Sequence, residues 1–460
     1  MNLYIKVEVS KRDLESRFFL GLVAAERGHD VWIGPAGLTT RLAVNRLIQP
    51  GIIHEKSITP GHHRLEQLES YRSGGYLCTS QDEESGILEE DYGEFAEMRF
   101  SKKSLDLTDK VFAWGDHDKF SLVERYQDVE GIDEKVVDTG SPRVDLWRPE
   151  CRGLYPKPTG AVAEKKYVLM VSNFGAIAGY DAFWQEVEYA RRTGYAERGY
   201  DVANQIDRNA FRMELMGKFV AALKRLAVEN PEIVFVFRPH PIENPRAWKA
   251  FIGNVPNVVI DNSGPISRWV RHANLIIHNG CTTALEAVIS QKPVIAFRPL
   301  ISRHEESFPN AASHEVFSED DLSRVVKALF KDNELSGVTG PEGNLLVVSR
   351  RLASLDERFA AEKIVEEWEK LTKCSTFKAN LPLKLRCLAW IYFWRRRASA
   401  VFSLNSLMKG TPREVQRFKF PPLKRSEIDA LHARFVDTLD RFSTVRVRLY
   451  GRYLIHMSSR

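Results

Sequence analysis

Residues 275–287 read Leu-Ile-Ile-His-Asn-Gly-Cys-Thr-Thr-Ala-Leu-Glu-Ala, a buried strand that runs into a glycine turn where two threonines open a helix. The backbone N–H groups of such a first turn, with the helix dipole behind them, form a site for a phosphate. Asn279, Gly280 and Cys281 make the turn, and the hydroxyls of Thr282 and Thr283 add donors. Glu286, one turn on, is placed to accept a ribose diol. Plain N-capping by Asn or Thr would use the same residues. A second block, Phe237-Arg-Pro-His-Pro-Ile-Glu-Asn, ends a strand rich in Val, Ile and Phe. Ligands of open α/β sheets bind beyond the carboxyl ends of the strands, where Arg238 and His240 would project, and two prolines fix the backbone around them. A guanidinium and an imidazole there suit a diphosphate or a sugar carboxylate; an inert polar turn is the alternative.

Carboxylates stand at strand ends in the first third of the chain. Glu8 ends the first strand, Arg17 lies early in the next helix, and Asp82-Glu83-Glu84 follows the strand at 75–79. Such groups act as a general base or hold acceptor hydroxyls, unless they form an acidic surface turn. Ser172-Asn173-Phe174 is a further strand edge. The sequence has no His or Cys cluster with ligand spacing, so no metal is expected.

The elements that must hold these residues alternate. Residues 3–9, 14–27 and 31–34 read as a β-α-β opening, and 75–79, 111–114 and 136–139 as later strands of a largely parallel sheet. A stretch rich in Pro, Gly and Lys at 149–165 reads as a linker. A second alternation follows, with strands at 167–171, 233–237, 258–260, 275–278 and 294–297 and helices at 209–227, 266–272 and 282–290. Residues 321–330 and 352–371 read as closing helices, with a glycine-rich loop at 337–343 between them.

A chain of 460 residues suits two or three domains, and 43% hydrophobic with 28% charged residues is an ordinary globular composition. Five scattered cysteines write no disulfide framework, and the N-terminus carries charge in its first apolar stretch, so a cytoplasmic protein is expected. The longest uncharged apolar stretch, near 388–394, is far too short to span a bilayer. The net charge of +5 is uneven: residues 381–460 hold 17 Lys and Arg against 5 Asp and Glu, which leaves the remainder at −7. That excludes a nucleic-acid-binding body and gives the tail an anionic partner, with lipid preferred over nucleic acid. Residues 383–397 set Trp390, Tyr392, Phe393 and Trp394 beside Arg395, Arg396 and Arg397. The pattern suits a peripheral membrane contact on the inner membrane, or a helix packed on the body with a basic edge.

The two blocks at 237–244, with Trp248, and at 278–287 resemble the bacterial surface carbohydrate biosynthesis protein family, related to GT-B glycosyltransferases of capsule and lipopolysaccharide assembly. Glu8 with residues 12–17, Ala24-Ala-Glu-Arg-Gly-His, Asp82-Glu-Glu-Ser-Gly, Trp114-Gly, Gly140-Ser-Pro-Arg-Val-Asp-Leu and Asn173-Phe extend the resemblance over about residues 1–320, and Arg417-Phe-Lys-Phe-Pro carries it weakly into the tail. It implies an α/β, GT-B-like fold of two Rossmann-type domains facing a cleft, with a C-terminal helical basic tail. The domains would be 1–155 on the acceptor side, 165–345 for the nucleotide-sugar, and 350–460 for closing helices and tail. It also implies a metal-independent glycosyltransferase without cofactor, moving a sugar from a nucleotide-sugar donor to a glycan or lipid-linked acceptor. The Arg-Pro-His-Pro block is similar to those of cytidine-dependent transferases, which tilts the donor toward CMP activation. Glu8, Asp82, Glu83 and His240 would be catalytic. Arg17, Asn173, Arg238, Glu243, Asn279, Gly280, Cys281, Thr282, Thr283 and Glu286 would bind substrate. A polyol-phosphate transferase, a nucleotide-sugar epimerase and a non-catalytic subunit of a membrane assembly complex are the competing readings.

Overall fold

Strand β1 (Asn2–Val7) is buried along its whole length, as a parallel strand covered on both faces must be. The computed structural model describes residues 1–83, 92–163, 165–178, 202–240, 243–332, 341–356, 358–373, 378, 380, 382–403 and 419–459. They form two α/β units, one from the residues up to 154 and those from 349 on, the other from 155–348.

In the first unit β1 pairs in parallel with β2 (Asp30–Pro35) on one side and β3 (Ile52–Glu55) on the other. The sheet continues through β4 (Leu77–Ser80), β5 (Lys110–Phe112) and β6 (Val136–Val137). The helix Ser10–Glu26 buries Phe18, Phe19, Leu22 and Val23, with Phe18 and Phe19 stacked on Phe435 from the C-terminal segment. No side chain caps that helix from Val9; Asp13 reaches back instead and accepts the Val9 N–H at 3.0 Å.

The second unit has six parallel strands: β7 (Tyr167–Val171), β8 (Val234–Arg238), β9 (Val258–Ile260), β10 (Leu275–His278), β11 (Val294–Phe297) and β12 (His314–Val316). Their order is β12-β11-β10-β7-β8-β9, so the chain builds outward from β7 in one direction, then returns to its other side at β10. That is the dinucleotide-fold order, with its switch point between β7 and β10. The helix Val202–Glu229 packs Leu215, Phe219, Leu223 and Leu226 on Phe235, Phe237 and Ile277. Both units are therefore Rossmann-type α/β layers, as expected.

Residues beyond 349 return to the first unit instead of standing apart. Residues 351–354 lie across Gly115 and Gly140, where an added Cβ would come within 2.2 Å of Arg351 O and 2.6 Å of Ala353 O. Only glycine admits so close an approach of two backbones. The helix Ala360–Thr372 then buries Trp368, whose indole donates to Thr79 Oγ1 at 3.0 Å. The glycine-rich loop expected at 337–343 lies mostly outside the described residues. The sequence reading places no strand in the tail, yet β13 (Val445–Tyr450) and β14 (Leu454–Ser459) form an antiparallel hairpin whose second strand pairs with β2. Along β13, Val445 and Val447 are buried while Arg446 and Arg448 are exposed, so charged side chains blunt the sheet's edge.

Candidate functional site

Three loops meet beyond the carboxyl ends of β8, β7 and β10, around the switch point. Their centre is Glu243, which is buried. One carboxylate oxygen accepts the Phe174 N–H at 2.8 Å and the Gly175 N–H at 3.3 Å. The other accepts the Trp248 indole at 2.9 Å, the His240 N–H at 3.2 Å and the Ser172 hydroxyl. Five donors on two oxygens leave the carboxylate no capacity for a sugar, so Glu243 holds the loops in place and does not reach substrate. Asn173 and Asn279 lock across the switch point: the Asn173 N–H donates to Asn279 Oδ1 at 2.9 Å, and the Asn173 amide to the Gly280 carbonyl.

His278 fixes the turn from beneath. Ser313 Oγ donates to the Pro309 carbonyl at 2.8 Å, so it accepts from His278 Nε2 at 2.9 Å, and the Nδ1 lone pair takes the Gly280 N–H at 2.9 Å. The imidazole is thus the neutral Nε2–H tautomer, and burial alone pushes its pKa down to about 3. Gly280 has φ +86°, and an added Cβ would stand 3.0 Å from Glu306 Cβ, so glycine is required twice over.

This geometry alters the phosphate reading of the turn. The helix is only Thr283–Ile289, the Gly280 N–H is engaged by His278, the Ala284 N–H donates to the Cys281 carbonyl at 3.0 Å, and the Thr283 N–H and hydroxyl meet the Cys281 thiol. Burial raises that thiol's pKa to about 11, which makes it an inert part of the wall. Thr282, at the N-cap, makes no capping bond and is partly exposed, so its hydroxyl is what the turn presents, while partly exposed Thr283 turns its hydroxyl to the Cys281 thiol. Glu286 is buried. Arg238 likewise departs from expectation: its guanidinium donates to the carbonyls of Asp261 (3.4 Å), Ser263 (2.9 Å) and Gly264, and stacks on Trp269. Burial lowers its pKa to about 10. It secures the loop after β9. His240 is partly exposed at the rim, its N–H tied to Ser172 Oγ at 3.2 Å.

Sequence reasoning missed an ionic cluster on the other side of the switch point. Arg298 forks Glu305 at 2.7 and 2.8 Å and also meets Glu315, while Arg208 and Arg212 meet Glu306 at 3.2 and 3.5 Å. A cavity of about 20 Å³ lies among Asn173, Asn279, Arg212, Arg298 and Glu306. The available signal was repetition: Phe297-Arg298-Pro299 ends β11 just as Phe237-Arg238-Pro239 ends β8.

In the first unit the expected carboxylates differ sharply. Glu8 pairs with Lys56 at 2.7 Å and with Lys419; burial would raise its pKa, but the two ammonium groups hold it at about 2. A carboxylate so acidic is a poor base at neutral pH. Asp82 is forked by Arg99 at 2.8 and 2.9 Å. Glu83 is buried with Arg17, 2.6 Å away, and burial raises its pKa against that pull. Among the described residues its Oε2 has no partner, nor do Arg17 Nε and Nη1. Glu84 lies outside the described residues. Among the described residues no three His, Cys, Asp or Glu side chains gather as metal ligands.

No protein-family model matches the chain, and no curated protein does. Solved structures similar to it include the S. aureus MnaA–UDP co-structure, at 14% identity and TM-score 0.47, covering 81% of this chain and 97% of that one. A UDP-GlcNAc 2-epimerase from Neisseria meningitidis bound to UDP-GlcNAc is 12% identical, with TM-score 0.46 and coverage of 81% and 100%. The wall teichoic acid polymerase TagF is 10% identical, with TM-score 0.48 and coverage of 81% and 89%.

Proposed function

We propose that the protein is a cytoplasmic enzyme of bacterial surface polysaccharide biosynthesis that transfers a sugar from a nucleotide-sugar donor to a glycan or lipid-linked acceptor. The supporting observation is the switch point of the second sheet, where Glu243, Asn173–Asn279 and His278 tie three loops together through hydrogen bonds of the chain's own groups. Preorganisation of this kind, at the place where open α/β sheets take their ligands, is what a nucleotide site needs. In this reading Asn173, Thr282 and Thr283 meet the donor's phosphates, and His240 at the rim serves the departing phosphate. Gly280 and Asn279 shape the turn, and Cys281 and Glu286 line its buried side. The acceptor-side base is Glu83: Arg17 orients one oxygen, the other has no partner among the described residues, and burial raises its pKa, whereas Glu8 is held acidic and both Asp82 oxygens are taken by Arg99.

Thermal-shift titration against CMP, CDP, UDP and GDP tests the donor site. Binding of at least one pyrimidine nucleotide, weakened by about 1–3 kcal/mol in Thr282→Ala/Thr283→Ala, is expected. A double variant that binds every nucleotide as the parent does would place the site elsewhere.

A further inference from the structure

The helix Pro382–Ser403 contains no Asp or Glu and has two dissimilar faces. Leu385, Ala389 and Phe393 are buried, with Tyr392 and Arg396 beside them. Tyr392 meets the Tyr453 ring edge-on, Arg396 stacks over the same ring at 5.0 Å, and Phe393 contacts it too. Gly451 in the hairpin turn lets the backbones meet: an added Cβ would lie 2.4 Å from Ala389 O. The packed-helix reading of this segment is thus correct for one side, and it removes Tyr392, Phe393 and Arg396 from the expected membrane contact.

The other side is exposed and apolar. Leu383 (71%), Trp390 (41%), Ile391 (54%) and Trp394 (57%) keep much of their surface. At about 100° per residue these four side chains share one arc of the helix, opposite the packed one. Exposed Arg386 and Arg397 border that arc on one edge, and exposed Lys384 and Arg395 border it on the other. A water-facing helix would not carry two outward tryptophans, and four flanking cations on a helix without Asp or Glu match an anionic surface.

We propose that this arc docks the protein on a bilayer containing anionic phospholipid, with the helix lying in the plane of the headgroups. The apolar stripe enters the interface, and the flanking cations meet phosphate on both sides. The inference rests on the proposed lipid-linked acceptor only for its biological setting; its physical basis is the helix. The part of the tail at 404–418 lies outside the described residues.

Sedimentation of the full chain with phosphatidylglycerol/phosphatidylcholine vesicles tests it, with phosphatidylcholine vesicles as the neutral control. The parent should pellet with the anionic vesicles and be released near 1 M salt, where the Debye length is about 3 Å. Arg386→Ala/Arg397→Ala should lower partitioning about thirtyfold. Trp390→Ala/Trp394→Ala should abolish the blue shift of tryptophan fluorescence on vesicles. Arg446→Ala/Arg448→Ala removes equal charge from the β13 edge and should bind as the parent does. Unchanged melting and nucleotide binding in all variants separate this outcome from failure of the donor site. Vesicle binding by Trp390→Ala/Trp394→Ala equal to the parent's overturns the proposal. So does a parent dimer that this variant disperses, or binding of a single-stranded oligonucleotide as tight as that of vesicles through the same cations.

Discussion

Replacing Glu243 by Gln turns one carboxylate oxygen into an uncharged amide NH₂ and leaves the size of the side chain unchanged. The carboxylate accepts two donors on one oxygen and three on the other, from buried Phe174, Ser172 and Trp248 and from partly exposed Gly175 and His240. A glutamine keeps three of these bonds at best, by turning its NH₂ toward Phe174 N and Gly175 N. Those two N–H groups then face a donor. Losing one good bond to a charged acceptor costs about 1.5–3 kcal/mol, and the 3.3 Å bond from Gly175 adds less, so a loss of about 2–4 kcal/mol is expected. At about 2–4 °C per kcal/mol for a unit of this size, melting should fall by roughly 4–16 °C. Calorimetry or circular dichroism on the full chain reads the melting change, and nucleotide titration reads the site. Both should deteriorate together, because the donors freed belong to the loop that carries Asn173. A Glu243→Gln protein that melts within about 1 °C of the parent, well under the expected range, would refute the hub.

The remaining predictions concern charge. Glu83→Gln should lower turnover about 10²–10⁴-fold, whereas Glu8→Gln should leave it within about tenfold; the reverse ranking in a sugar-release assay would exchange their roles. Lys6 and Glu55 form a buried pair at 2.6 Å, so Lys6→Met should destabilise by about 3–5 kcal/mol in urea melts, and a neutral result would show that Arg64 alone suffices for Glu55. His278 has a native pKa of about 3 against about 6.5 unfolded, so its contribution is complete above pH 6.5 and falls by about 1.4 kcal/mol per pH unit between 6.5 and 3. His278→Asn should flatten that part of the stability profile, and an unchanged acid slope would contradict the neutral tautomer.

The strands of the second unit were legible because fully buried parallel strands are short unbroken apolar runs, and Tyr167–Val171, Val234–Arg238 and Leu275–His278 are such runs. The helix expected at 352–371 begins only at Ala360, because residues 351–354 run over two glycines and Ser354 takes φ +62°, a contact that no local pattern announces. The Val-Arg-Val-Arg alternation of β13 was readable as an edge strand, but its charge drew it into the reading of a basic tail. At the site, the residue types at strand ends were legible and their duties were not. Whether Arg238 or Glu243 faces a ligand or a neighbouring loop depends on loops that sequence spacing does not place, and both face loops.

The central claim is that a nucleotide occupies the switch point of the second sheet. Hydrogen–deuterium exchange of the full chain with and without a bound pyrimidine nucleotide tests it most directly. Protection is expected in the loops at 172–178 and 279–283, with the ends of β1, β3 and β4 unchanged. Protection confined to the first unit, with the second-unit loops exchanging as before, would contradict it.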